Sequence, residues 1–229
     1  MYYGIDYYYM VLVLPAILIS LYAQFKVSSS FSKYSKIANS KRITGAMVAR
    51  RILDSNNLQN VIIEHVHGNL SDHYDPRTRT LRLSDSVYSS ASIAALGVAA
   101  HECGHAIQHA KNYEPLQWRH AVYPIVRFSS MAAMPLFLIG LLVNTPYLLN
   151  FGIILFSAVV AFQIITLPVE FNASKRALAI LNEYYFLDES ELKGAKKVLT
   201  AAAMTYVASA LTSVMQLLRL ILIANNMRD

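Results

Sequence analysis

His101 and His105 stand four residues apart, with Glu102 beside the first, in the run Ala-Ala-His-Glu-Cys-Gly-His-Ala-Ile-Gln. Four residues is little more than one helical turn, so on a helix both imidazoles share a face and can hold one zinc ion. A carboxylate next to the first ligand can reach a water on that ion and take its proton as the water attacks a carbonyl. The H-E-x-x-H spacing therefore predicts hydrolysis, with His101 and His105 as metal ligands and Glu102 as general base. Ala99, Ala100, Gly104 and Ala106 are small, so another element can approach this helix closely. Two histidines and a glutamate in so apolar a helix need a reason to be there.

One catalytic zinc needs a third protein ligand and an open position. The all-histidine pattern H-E-x-x-H-x-x-G-x-x-H is not met, because Gln108 stands where glycine is required and Lys111 where histidine is required. His109 continues the same face but lies about 6 Å beyond His105 along the helix axis. It is expected beside the ligands or at the surface rather than on the metal. A glutamate from a later helix is the remaining route, and Glu170 is the best placed, directly after Leu167-Pro168-Val169 at the expected start of a helix. The competing reading of Glu170 is a carboxylate favoured there by the helix dipole. Ser174, one turn on, is expected to hydrogen-bond a ligand or its support, with Asn172 and Arg176 beside it. Glu183, Glu189 and Glu191 read as solvated charges. Cys103 is about 200° round the helix from His101 and should face away from the metal. His65, His67, His73 and Tyr74 are candidate oxyanion donors, none of them assigned, and the segment 70–76 before the metal helix is a candidate edge strand for holding an extended peptide.

The elements that must position these residues lie mostly in a membrane. The chain has 229 residues, 55% hydrophobic and 15% charged, against about 25% charged in ordinary soluble domains. Four segments approach the ~20 apolar residues that cross a bilayer: roughly 5–25, 124–143, 147–168 and 200–224. The fourth is the most polar and could instead pack as an amphipathic helix. The first begins in a tyrosine-rich belt with no Lys or Arg before Lys26, which reads as a retained anchor rather than a cleaved signal. Lys and Arg crowd residues 26–125 and 169–199, while the link 144–150 has none. Basic loops stay cytoplasmic. The metal helix and Glu170 are thus expected on one face, the cytoplasmic one.

The fold class expected is an α-helical integral membrane protein with a zincin-like α+β catalytic region. Its order is an anchor (1–25), a region with a short sheet and the metal helix (26–123), two spans (124–168), a helical region supplying the third ligand (169–199), and a last membrane helix with tail (200–229). Helices are expected over 44–54 and 91–110, and strands over 61–66, 70–74 and 80–84. The net charge of +6 suits loops facing anionic lipid, and no aromatic-interleaved basic motif points to nucleic acid. A single Cys103 excludes an intrachain disulfide scaffold.

HECGHAIQHA at 101–110, LSDHYDP at 70–76, RLS at 82–84 and LPVEFNAS at 167–174 resemble the bacterial YugP-type neutral zinc metallopeptidases, over nearly the whole chain. That resemblance implies a bacterial plasma-membrane enzyme, one zinc ion at His101 and His105, catalysis by Glu102 and Glu170 as third ligand. The chain is similar more widely to membrane peptidases of the HtpX and CAAX-processing type. Those carry an aspartate four residues after the ligand glutamate, where this chain has Ser174. The reading is a zinc-dependent membrane endopeptidase acting on membrane proteins or peptides, with lipid as neighbour and room for a homo-oligomer or a regulatory membrane partner. The competing readings are an inactive zinc-binding adaptor and a zinc hydrolase of a non-peptide bond.

Overall fold

The computed structural model describes residues 7–227; the first residues of the expected anchor and the last two of the chain lie outside that range. The order is α1 (Leu14–Ser35, entered through a π-helical turn at Tyr9–Val13), α2 (Gly45–Ser55), β1 (Ile62–Val66), β2 (His73–Asp75), β3 (Thr80–Ser84), α3 (Ile93–Ala110), α4 (Glu114–Leu142), α5 (Pro146–Glu183) and α6 (Glu189–Asn226). Among the described residues α1 with its π turn, α4, α5 and α6 are long and apolar enough to cross a membrane. The π turn has a local cause. Pro15 would press its ring on the carbonyl four residues back, and a widened turn relieves that.

The chain divides into two compact units. One holds the apolar stretches: residues up to Ala23, Gln117–Pro168 and the chain from Thr205 on. Phe137, Leu149, Leu220 and Ala224 form its buried cluster. Ser20 and Thr212 join α1 to α6 through their hydroxyls at 3.0 Å. In lipid a polar side chain does best when it finds such a partner.

The other unit comprises Gln24–Leu116 and Val169–Met204. Its sheet has the order β1-β3-β2, with β1 parallel and β2 antiparallel to β3, so β2 lies on an edge. Central β3 buries Leu81 and Leu83 completely. Helix α2 starts at Thr44, whose side chain accepts from the Met47 N–H, and α3 at Ser92, whose side chain accepts from the Ala95 N–H. The apolar stripe Val48, Ala49, Ile52 and Leu53 of α2 packs in one core with Ala99, Ala100, Cys103, Ala106 and Ile107 of α3. Cys103 faces α2, 3.7 Å from the Ala49 carbonyl, and burial pushes its thiol far up.

Three expectations are corrected. Glu170 does not begin a helix: α5 runs unbroken from Pro146 to Glu183. Pro168 removes its own N–H bond and crowds the Ile164 carbonyl, but beyond it Ala173, Ala177 and Leu181 are fully buried, which holds the helix on course. The dipole reading of Glu170 therefore falls. The strand expected at 70–74 is instead His73–Asp75. Leu70 has φ +56°. Asp72 spends its carboxylate on the Ser84 N–H at 2.7 Å and the Ser84 hydroxyl at 2.9 Å. Glu191 is not solvated. It is buried, accepting from the Ser40 N–H at 2.6 Å and the Asp188 N–H at 3.0 Å, while Asp188 accepts from the Glu191 N–H at 2.9 Å. This reciprocal pair caps α6.

Candidate metal centre

Helices α3 and α5 build the site, both contributions coming from the second unit. They cross antiparallel: His101 meets Ser174, His105 meets Glu170, and Gln108 meets Val169. The crossing is tight at Gly104. A Cβ placed there would stand 2.8 Å from the Ala173 carbonyl oxygen and 3.1 Å from its Cα. Glycine here lets the backbone that carries the histidines reach the backbone that carries Glu170.

At the crossing, one oxygen of Glu170 lies 3.3 Å from His101 Nε2 and 3.6 Å from His105 Nε2. The imidazole rings stand edge to face with centroids 4.8 Å apart. Glu170 is 3% exposed, His101 14% and His105 13%. These three form the group of His, Cys, Asp or Glu side chains able to hold a metal among the described residues, with their donor atoms all within 4.8 Å of one another. A tetrahedral zinc with ligands about 2.0–2.1 Å away sets its donor atoms about 3.3 Å apart. The two Glu170–histidine spacings are close to that figure, and two imidazole nitrogens with one carboxylate oxygen are a donor set zinc accepts. The site fits one zinc ion.

Both outer nitrogens are engaged. His101 Nδ1 is 3.1 Å from the Ser174 hydroxyl, and His105 Nδ1 is 3.0 Å from Gln108 Oε1. Each Nε2 faces the shared carboxylate. Burial pulls the His105 imidazole down, but the Glu170 carboxylate, the Glu102 charge and the Gln108 amide together hold it above its ordinary value. Glu102 therefore acts electrostatically on His105, which it precedes by three positions.

The remaining candidates fall elsewhere. Asn172 Oδ1 accepts from Gln108 Nε2 at 3.0 Å and from Arg176 Nε at 2.7 Å, so it touches the support of a ligand rather than a ligand. His109 Nδ1 pairs with the Tyr74 hydroxyl at 2.9 Å, which lays edge strand β2 beside α3 one turn past His105. His65 donates from Nε2 to Asp85 at 2.6 Å, and His67 lies 3.6 Å from the same oxygen. The Gly68 N–H holds the Asp85 carboxyl below its usual range. His73 donates from Nδ1 to the Ser71 carbonyl at 2.8 Å. Sequence reasoning missed Gln108, read there only as a break in the all-histidine pattern. Its spacing of three from His105, on the same helical face, was the available signal.

A sequence family described as "Putative neutral zinc metallopeptidase" matches residues 9–225. The chain belongs to this family. Zinc metallopeptidase activity goes with that membership, and the cluster of His101, His105 and Glu170 is a site of the kind the activity requires. The "Putative membrane protease YugP" of Bacillus subtilis (strain 168) is 53% identical over 218 residues, covering 95% of this chain and 97% of that protein. No solved structure matches the chain.

Proposed function

We propose that the protein is an endopeptidase of the bacterial plasma membrane. It cleaves membrane proteins or peptides at the cytoplasmic face, with His101, His105 and Glu170 as zinc ligands and Glu102 as general base. The observation that carries this reading is the convergence of two inward-facing Nε2 atoms on one buried carboxylate oxygen. Zinc bound there supplies a Lewis acid that polarises the peptide carbonyl and lowers the pKa of the attacking water. Glu102 takes the proton of that water and delivers it to the departing amine. Its place beside His101 and its charge acting on His105 both support that role. Edge strand β2 offers main-chain groups to an extended substrate beside α3. The cytoplasmic orientation rests on the Lys and Arg of residues 26–125 and 169–199 against the uncharged link 144–150. The bacterial setting rests on the relative from Bacillus subtilis.

Metal content and proteolysis of the purified chain, measured beside Glu102→Gln, test the assignment. The expected outcome is about one zinc in both proteins and a loss of activity of ~100-fold or more in the variant. Equal activity in the two would remove Glu102 from the chemistry. A metal-loaded wild type that cleaves no peptide in a broad screen would support the adaptor reading.

A further inference from the structure

We infer that Gln108 is the positioning residue for His105: its side-chain oxygen accepts a hydrogen bond from Nδ1–H, which keeps the proton on Nδ1 and turns a bare Nε2 toward Glu170. This inference rests on the zinc reading above and concerns how the ligand is prepared for the ion.

The direction of the hydrogen bonds is forced from both ends. Gln108 Nε2 lies 2.8 Å from the Val169 carbonyl oxygen, which can only accept. Arg176 Nε, 2.7 Å from Asn172 Oδ1, can only donate, so Asn172 presents its oxygen. That same oxygen is 3.0 Å from Gln108 Nε2. Turning the Gln108 amide over would set its oxygen against two acceptors at once. Its nitrogen therefore faces Val169 and Asn172, and its oxygen faces His105 Nδ1 at 3.0 Å. An oxygen in that place requires the proton on Nδ1 and leaves the Nε2 lone pair for a metal. Gln108 is fully buried, so no bulk water substitutes for any of these partners. The run from Arg176 through Asn172 and Gln108 to His105 thus ties the tautomer of a ligand on α3 to α5, the helix that supplies Glu170. Ser174 touches the other histidine at 3.1 Å, but a hydroxyl can give or accept, so it selects no tautomer by itself.

A plain staple between two helices would use the amide equally well, and the test must separate the two roles. Zinc affinity is read by competition with a chromophoric chelator on the full chain in detergent, for wild type and Gln108→Leu, counting only folded protein by its helical circular dichroism. Histidine-selective 15N spectra of the zinc-free wild type at alkaline pH, with His105 assigned through His105→Gln, read the tautomer directly and do not depend on the leucine variant folding. The expected results are a zinc affinity about 10- to 100-fold lower in Gln108→Leu and a protonated Nδ1 at His105. Unchanged affinity in folded Gln108→Leu, or a bare Nδ1 in the wild type, overturns the positioning role alone. A wild type that binds no zinc overturns the zinc reading and this inference with it.

Discussion

Gly104→Ala adds one methyl group at the point where α3 and α5 cross. Its Cβ would stand 2.8 Å from the Ala173 carbonyl oxygen, where ordinary contact begins at 3.4 Å, and the obstacle is helix backbone rather than the tip of a side chain. One helix must therefore yield by about 0.6 Å. Zinc sites hold their ligand distances to about 0.2 Å, so the shift is roughly three times the tolerance. It acts on a separation that is now 3.3 Å between Glu170 and His101. Overpacking of this kind costs about 1–3 kcal/mol, offset by about 1 kcal/mol from replacing glycine inside a helix. The zinc-free variant should lose no more than about 2 kcal/mol, while zinc affinity falls at least ~10-fold. Thermal unfolding without metal and chelator competition measure the two quantities separately. Gly97→Ala is the control on the same helix, since its Cβ would meet Ala195 at an ordinary 3.5 Å. It should keep zinc affinity and gain up to about 1 kcal/mol. Wild-type zinc affinity in Gly104→Ala would refute the claim that close approach at this glycine sets the ligand geometry.

Zinc binding should weaken on acidification, and earlier than an ordinary histidine would cause. His105 must be neutral to bind, and its pKa in the zinc-free protein is held above the ordinary value of 6.5. Protons therefore begin to displace the ion as pH falls through that raised value; affinities measured from pH 9 to 5 that break only below 6.5 would contradict this. The same shift gives the zinc-free fold a contribution that is full below the unfolded pKa and lost as pH rises through the folded one. Glu191→Ala should destabilise the fold by about 1–3 kcal/mol, because it strips acceptors from the Ser40 and Asp188 N–H groups. Zinc affinity should stay unchanged, and an unaltered melting temperature would show the cap to be dispensable.

The parts of this site legible from the sequence are those governed by short-range geometry. The face shared by His101 and His105 follows from a spacing of four, and the four long apolar helices follow from run length. Elimination among the glutamates points to Glu170, but Leu167-Pro168 resembles a helix boundary and hides that residue's setting inside α5. The chain continues through it since Ala173, Ala177 and Leu181 are buried beyond the proline. Gln108 escaped notice because its partners Val169 and Asn172 are 61 and 64 residues away. Nothing local marks a glutamine as the acceptor that settles a tautomer. Glu191 looked like one more surface charge for the same reason, as its contact with Ser40 spans 151 residues. Strand β2 came out shorter than the pattern suggested, since Asp72 turns its side chain to Ser84 and ends the ladder.

That brevity shapes what the enzyme can distinguish. An edge of three residues, His73 to Asp75, offers outward main-chain groups to only a residue or two of a guest. At about 1 kcal/mol for each net hydrogen bond, the grip is too slight to sort one amino-acid order from another. If β2 is the substrate edge, as proposed, so short a ruler would discriminate by who stays nearby and is already unravelled. With substrate held at β2 as proposed, confinement to the bilayer plane would supply the selectivity that a longer groove would supply in free solution, because tethering raises the local concentration of whatever shares that plane.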